Sequence, residues 1–206
     1  MAAVTDSVER VGEALKPVEG VWIANVNAPR QTVISGTRDG VAQAVKKLAE
    51  HGIQARSLPV ACAFHSPIVA PAQHRLAAAL STVAFNAPQF DVVANATGEP
   101  YPHDPSAIMA LLAEHLVSPV RFADGIETMY RAGARLFVEV GPRNVLTGLT
   151  AQILNDRAHR AVALDVAGRP GPIQLQHALG LLAAHGVALQ LDRLFEGRAA
   201  RRLDLT

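Results

Sequence analysis

Apolar and polar positions follow two different rhythms along this chain, and the change between them falls near residue 65. Before that point, short β-rich runs alternate with helical spacing. Met1 to Thr5 predicts a short strand, and Asp6-Ser7 starts a helix whose apolar positions are Val8, Val11 and Leu15. Val21 to Val26 reads as a strand, Asn27-Ala28-Pro29-Arg30 as a turn, and Gln31 to Ser35 as a returning strand ended by Gly36. Asp39 to His51 places Val41, Ala44, Val45 and Leu48 at helical spacing, with Gly52 as a stop, and Ala55 to Ala63 reads as a final strand. The order β-α-β-β-α-β is the ferredoxin-like pattern.

Beyond His65 the helical period dominates. Residues 67 to 84 predict an amphipathic helix with Val69, Leu76, Leu80 and Val83 inward. Phe90 to Ala94 reads as a strand left through the loop Asn95 to Gly98, followed by helices near 105–117 and 122–132. Leu136 to Val140 is strand-like, Gly141-Pro142 turns into a helix from about Asn144 to Leu154, and Ala161 to Leu164 makes one more short strand. Strands separated by helices predict parallel pairing and a three-layer α/β arrangement. Two or three strands are too few to bury such a sheet, so this half reads as incomplete. The expected organisation is residues 1–62, 63–166 and 167–206: a small subdomain, part of a larger α/β subdomain, then a linker with a helix through Leu175, Ala178, Leu179 and Leu182.

Composition narrows the function. Half of the 206 residues are hydrophobic, which supports a real core, and a formal net charge of +1 leaves little field for a polyanion, so nucleic acid is not the expected partner. No apolar run reaches membrane-spanning length, and the N-terminus has no basic segment leading into an apolar stretch. A single cysteine, Cys62, excludes an internal disulfide and suits a reducing cytoplasm, the expected location. The eight histidines lack short ligand spacing, so no metal site is expected.

The stretch Ala61-Cys62-Ala63-Phe64-His65-Ser66-Pro67 carries the strongest chemical signal. It places an imidazole at a strand-to-helix junction, where it can be held rigidly and still face a cleft. A structural histidine satisfied at that junction gives the same pattern. No Gly-x-Ser-x-Gly nucleophile turn occurs in the 206 residues. Cys62 is a poor nucleophile for His65, because residues three apart on a strand face opposite ways.

Five stretches in order resemble one family. They are Asn25 to Gly36, Ala63 to Pro67, Phe85-Asn-Ala-Pro88 leading into Val93 to Gly98, His115 to Phe122, and Glu139 to Gly148. Together they are similar to the acyltransferases that load malonyl-type units from coenzyme A onto acyl carrier proteins, including the acyltransferase domains of polyketide synthases. The ending, Leu191 to Gly197 through Leu203-Asp-Leu, resembles the linker that follows such domains.

The resemblance implies that a serine in a Gly-His-Ser-x-Gly turn attacks the thioester while a histidine takes its proton. His65 matches that base. His115 matches the position whose backbone carbonyl orients the imidazole, and Asn95 matches an active-site asparagine with a supporting polar role. No bound cofactor is implied; a coenzyme A thioester is the substrate and the carrier's phosphopantetheine thiol the acceptor. An Ala-Phe-His ending goes with malonyl selectivity in the family, Phe64 filling the space an α-methyl needs. Here Cys62 stands where a histidine is usual, beside Ala63. In the family the serine, the oxyanion-hole donors and the arginine for the malonyl carboxylate lie upstream of the small subdomain. The chain is therefore expected to be the C-terminal portion of such an enzyme, inactive alone, partnered by the missing half or the remainder of a synthase. A non-catalytic carrier-docking module, using Arg30, Arg38, Lys46 and Lys47 toward an acidic carrier, is the alternative. A thioesterase-like hydrolase ranks behind both.

Overall fold

The computed structural model describes residues 1–198, and its contacts group the chain into two units. The first is Met1–Arg135 with Gly148–His159; the second is Leu136–Thr147 with Arg160 onward.

The first unit opens with β1 (Ala2–Val4), α1 (Val8–Leu15), β2 (Val21–Ala28), β3 (Gln31–Gly36), α2 (Arg38–Glu50) and β4 (Ala55–Ser57), in the expected β-α-β-β-α-β order. The strands pair antiparallel throughout, in the order β2-β3-β1-β4. Local chemistry starts each helix. The Ser7 hydroxyl accepts from the Arg10 N–H at 3.4 Å, and the Thr37 hydroxyl from Gly40 at 3.0 Å. Ala2, Val4 and Ile34 project from the sheet onto Val11, Leu15, Val41, Ala44 and Leu48 of the two helices, and these side chains are buried. Gly40 permits a close approach: a Cβ there would sit 2.7 Å from the Gly20 carbonyl oxygen.

Two expectations shift here. Asn27 and Ala28 continue β2, so the turn tightens to Pro29-Arg30, and bulges near Ile23–Asn25 and Val26–Ala28 absorb the change of register. Strand β4 has three residues, where the sequence pattern extends it to Ala63. Pro59 carries no N–H for a ladder, and the last link is the Leu58 N–H to the Met1 carbonyl at 3.0 Å.

The rest of the unit is helical: a 3₁₀ turn at Pro67–Val69, α3 (Ala70–Leu80), α4 (Pro105–Glu114) and α5 (Phe122–Arg131). Helix α3 stops short of residue 84, where the Ser81 and Thr82 hydroxyls bond back to Ala78 and Ala79 at 2.7 and 2.8 Å. Val69 is buried as expected, but Val83 is 53% exposed and α3 itself buries no residue fully. The strand expected over Phe90 to Ala94 does not form. A single antiparallel bridge joins Val93 to Pro100, and prolines at 88 and 100 deprive the segment of donors.

In the second unit, β5 (Leu136–Glu139) and β6 (Arg160–Ala163) pair in parallel, as expected of strands joined by a crossover. Helix α6 (Val145–Leu154) contributes residues to both units, and α7 (Gly171–Ala184) to the second. The Glu139 carboxylate accepts from the Leu146 N–H at 3.0 Å and from the Thr147 N–H and hydroxyl at 2.7 Å each. Burial pushes that carboxyl up, but these donors outweigh it and hold it below the usual range. Buried Gln174 uses both ends of its carboxamide, donating to the Ala163 carbonyl at 2.6 Å and accepting from Arg169 at 2.7 Å. Val140, just past β5, is 80% exposed.

No helix among the described residues is long and apolar enough to cross a membrane, and no cluster of metal-ligating side chains occurs among them. Arg198 is the last described residue; Arg201, Arg202 and the Leu203-Asp-Leu ending lie outside the described residues.

Candidate active site

The site is built where a loop meets the frayed end of a helix. Helix α4 starts strongly, with Pro105 in its first turn and the Asp104 carboxylate accepting from the Ala107 N–H at 2.8 Å. It ends at Glu114, and Pro119 bars any continuation by restricting Ser118. The carbonyls past the last turn therefore lack helical partners. Three of them turn to residue 65. The Leu116 carbonyl takes the His65 backbone N–H at 3.1 Å, and the carbonyls of His115 and Ser118 each lie 3.1 Å from His65 Nδ1.

That arrangement fixes the chemistry of the ring. Two carbonyls at Nδ1 can only accept, so in the neutral ring Nδ1 carries the proton and Nε2 keeps its lone pair. Nε2 is then the basic atom.

The loop is shaped to deliver the ring. His65 adopts φ 57°, the left-handed region that a β-carbon resists. Next to it, Ser66 is fully buried and its hydroxyl donates to the Ala63 carbonyl at 2.6 Å, closing the turn before Pro67. The other side is strapped down as well. Val120 donates to the Ala24 carbonyl and accepts from the Val26 N–H, both at 2.8 Å, which ties the segment after Ser118 to edge strand β2.

The remaining candidate residues fall around this centre. His115 lies beside His65, ring centroids 5.2 Å apart, and its Nε2 is buried with no partner among the described residues. Burial, and then the neighbouring His65, push the His115 imidazole below the ordinary histidine range. Phe64 is 44% exposed with its ring centroid 6.5 Å from that of His65. Ala63 is half-buried and Cys62 exposed. Asn95 is exposed; its carbonyl accepts from the Arg121 N–H at 2.7 Å, and no hydrogen bond joins its carboxamide to either histidine. Arg30 and Arg38 flank opposite ends of β3, and Lys47 is paired with Glu50 at 2.8 Å. The Ser118 carbonyl and the Ser66 hydroxyl are the contributions that sequence reasoning missed. A backbone carbonyl leaves no side-chain signature; the Ser-Pro at 118–119 was the available sign.

His115 gives a test of its own. A histidine kept neutral by folding binds fewer protons than in the unfolded chain, so its contribution is complete above the ordinary value of about 6.5 and is lost as pH falls below it. Chemical denaturation at stepped pH should show native stability declining below about 6.5, with a shallower decline in His115→Gln, which keeps the carbonyl. Equal slopes would remove the side chain from this account.

Comparison with known proteins shows what the chain resembles. A family model described as "Acyl transferase domain" matches residues 1–187. The chain is 37% identical over 176 residues to a polyunsaturated fatty acid synthase polypeptide of Thraustochytrium, covering 82% of this chain and 6% of that protein. It is 34% identical over 206 residues to the phenolphthiocerol synthesis polyketide synthase Pks15/1 of Mycobacterium marinum, covering 100% of this chain and 10% of that protein. Among solved structures, the acyltransferase domain from the second module of the salinomycin polyketide synthase superposes with a TM-score of 0.85 at 30% identity, over 97% of this chain and 48% of that one. The malonyl CoA-acyl carrier protein transacylase of Clostridium perfringens gives 0.81 at 30% identity, over 90% and 57%. The chain thus spans about half of these structures, and a tenth or less of these two synthases.

Proposed function

The chain belongs to the acyl transferase domain family, and from that premise we propose that it supplies the general base of a malonyl-type acyl transfer from coenzyme A to an acyl carrier protein. In this reading His65 Nε2 takes the proton of a serine hydroxyl as that oxygen attacks the thioester. An acyl-enzyme forms, coenzyme A leaves as its thiol with the proton returned by His65, and the carrier's phosphopantetheine thiol reverses the sequence. The observation that carries the reading is Nδ1 of His65 seated between the His115 and Ser118 carbonyls. The serine comes from polypeptide outside these 206 residues, since no Gly-x-Ser-x-Gly turn occurs within them. Residues 1–62 form the ferredoxin-like small subdomain of this scheme, residues 63–166 the C-terminal part of a three-layer subdomain, and 167–206 the linker that follows. Asn95 supports the site from the rim. The test is radiolabelled malonyl transfer by this chain combined with a complementary half carrying the serine turn. Transfer dependent on both halves is the expected result, and equal transfer without this chain would sink the reading.

Phe64 sets the acyl group in this scheme. Its ring stands beside the base, where an α-methyl would collide with it. Phe64→Ser in the complemented enzyme should raise methylmalonyl use relative to malonyl by about tenfold or more, corresponding to roughly 1–3 kcal/mol for one methyl. Competition between the two thioesters reads this directly, and an unchanged ratio would assign selectivity elsewhere.

A further inference from the structure

An open bowl of about 910 Å³ lies at the end of the sheet where β1 runs out into Thr5, β4 begins at Ala55, and the β2–β3 hairpin turns at Arg30. The loop bearing His65 leaves β4 from the other end, after Ser57, so the bowl is separate from the base. Beside Thr5, its long polar side chains are Arg30, Arg56, Gln31, Gln54 and Gln152, and no carboxylate faces it among the described residues. None of those five side chains is hydrogen-bonded or ion-paired to another described residue. Four other arginines of the unit each hold an acid: Arg10 with Asp6, Arg121 with Asp124, Arg131 with Glu99 and Arg157 with Glu127. Two free guanidiniums around one concavity, with no anion from the protein, are set for an anion from outside.

The chemistry of the bowl narrows that anion. Planar guanidinium forks match phosphate oxygens in pairs. A single phosphate would leave most of the volume empty, and the size falls in the range of small-molecule sites. Half-buried Val45 and exposed Ala49 add an apolar strip from α2, and the three carboxamides can both donate and accept. An apolar strip with amides beside it suits a heteroaromatic ring with polar edges. We propose that this bowl is a nucleotide site, with phosphates on Arg30 and Arg56 and the base against Val45 and Ala49. Such a ligand reaches the protein either as a free nucleotide or as the tail of coenzyme A. The inference uses no atom of His65 and stands apart from the acyl-transfer reading.

Calorimetric titration of the full chain with ADP and, separately, with coenzyme A tests it, with adenosine as a competitor lacking phosphate. Saturable binding of at least one is expected, weakened about tenfold or more by Arg30→Ala and by Arg56→Ala and unchanged by His65→Asn. Tighter ADP binding would identify a free nucleotide, and tighter coenzyme A binding its tail. Both arginines are exposed, so their removal leaves the core intact. Absence of saturable binding, binding indifferent to both arginines, or full competition by adenosine would overturn the proposal.

Discussion

His65→Asn should leave the fold standing and reduce malonyl transfer by the complemented enzyme by roughly 10²- to 10⁴-fold, the range for a positioned acid–base group. Asparagine is the informative replacement for two reasons. It tolerates the left-handed backbone that residue 65 adopts at φ 57°. Its amide N–H can also reach toward the His115 and Ser118 carbonyls that His65 Nδ1 now faces. What it lacks is a second nitrogen with a lone pair. A circular dichroism melt unchanged from the parent, with transfer lost, would isolate the base from the scaffold. Transfer retained at parental rate would mean that the serine proton goes elsewhere.

Leu48→Ala is the second large effect. Leu48 is fully buried on the inner face of α2, in the cluster with Val4, Ile34 and Val11. Truncation removes the transfer energy of the missing carbons and leaves a cavity the neighbours cannot fill, a loss of about 2–5 kcal/mol. Stabilities of ordinary domains lie at roughly 5–15 kcal/mol, so a large share of the total would go. The same sheet carries the strap at Val120 and emits the His65 loop, so the base is only as well placed as this core is firm. Urea unfolding monitored by circular dichroism checks it. A shift below about 1 kcal/mol would contradict the burial argument.

Much of this was legible from side-chain spacing. The periods of Val41, Ala44 and Leu48 and of Val8, Val11 and Leu15 point to α2 and α1, because there the apolar face and the local caps agree. The misreadings share one cause. Residues 58–63 and 90–94 are rich in strand formers, yet neither can complete a ladder: Pro59 breaks the first, and the second has one bridge, at Val93–Pro100. Composition reports which residues would suit a strand, and pairing decides whether one exists. Helix α3 shows the converse, since its apolar positions follow the helical period while none is fully buried. At the site, the family motifs pointed to His65 and His115, whose ring and carbonyl do meet. The second acceptor, Ser118, was hidden because the chain's own main-chain oxygen does the work and any residue could have supplied it.

Long-range nitrogen–proton correlation spectra of the intact chain, with the His65 signals assigned by their loss in His65→Asn, test the central claim without any partner. For the neutral ring, a proton on Nδ1 and a bare Nε2 is the tautomer expected of an imidazole anchored on two peptide oxygens. A neutral ring with its proton on Nε2 would contradict it.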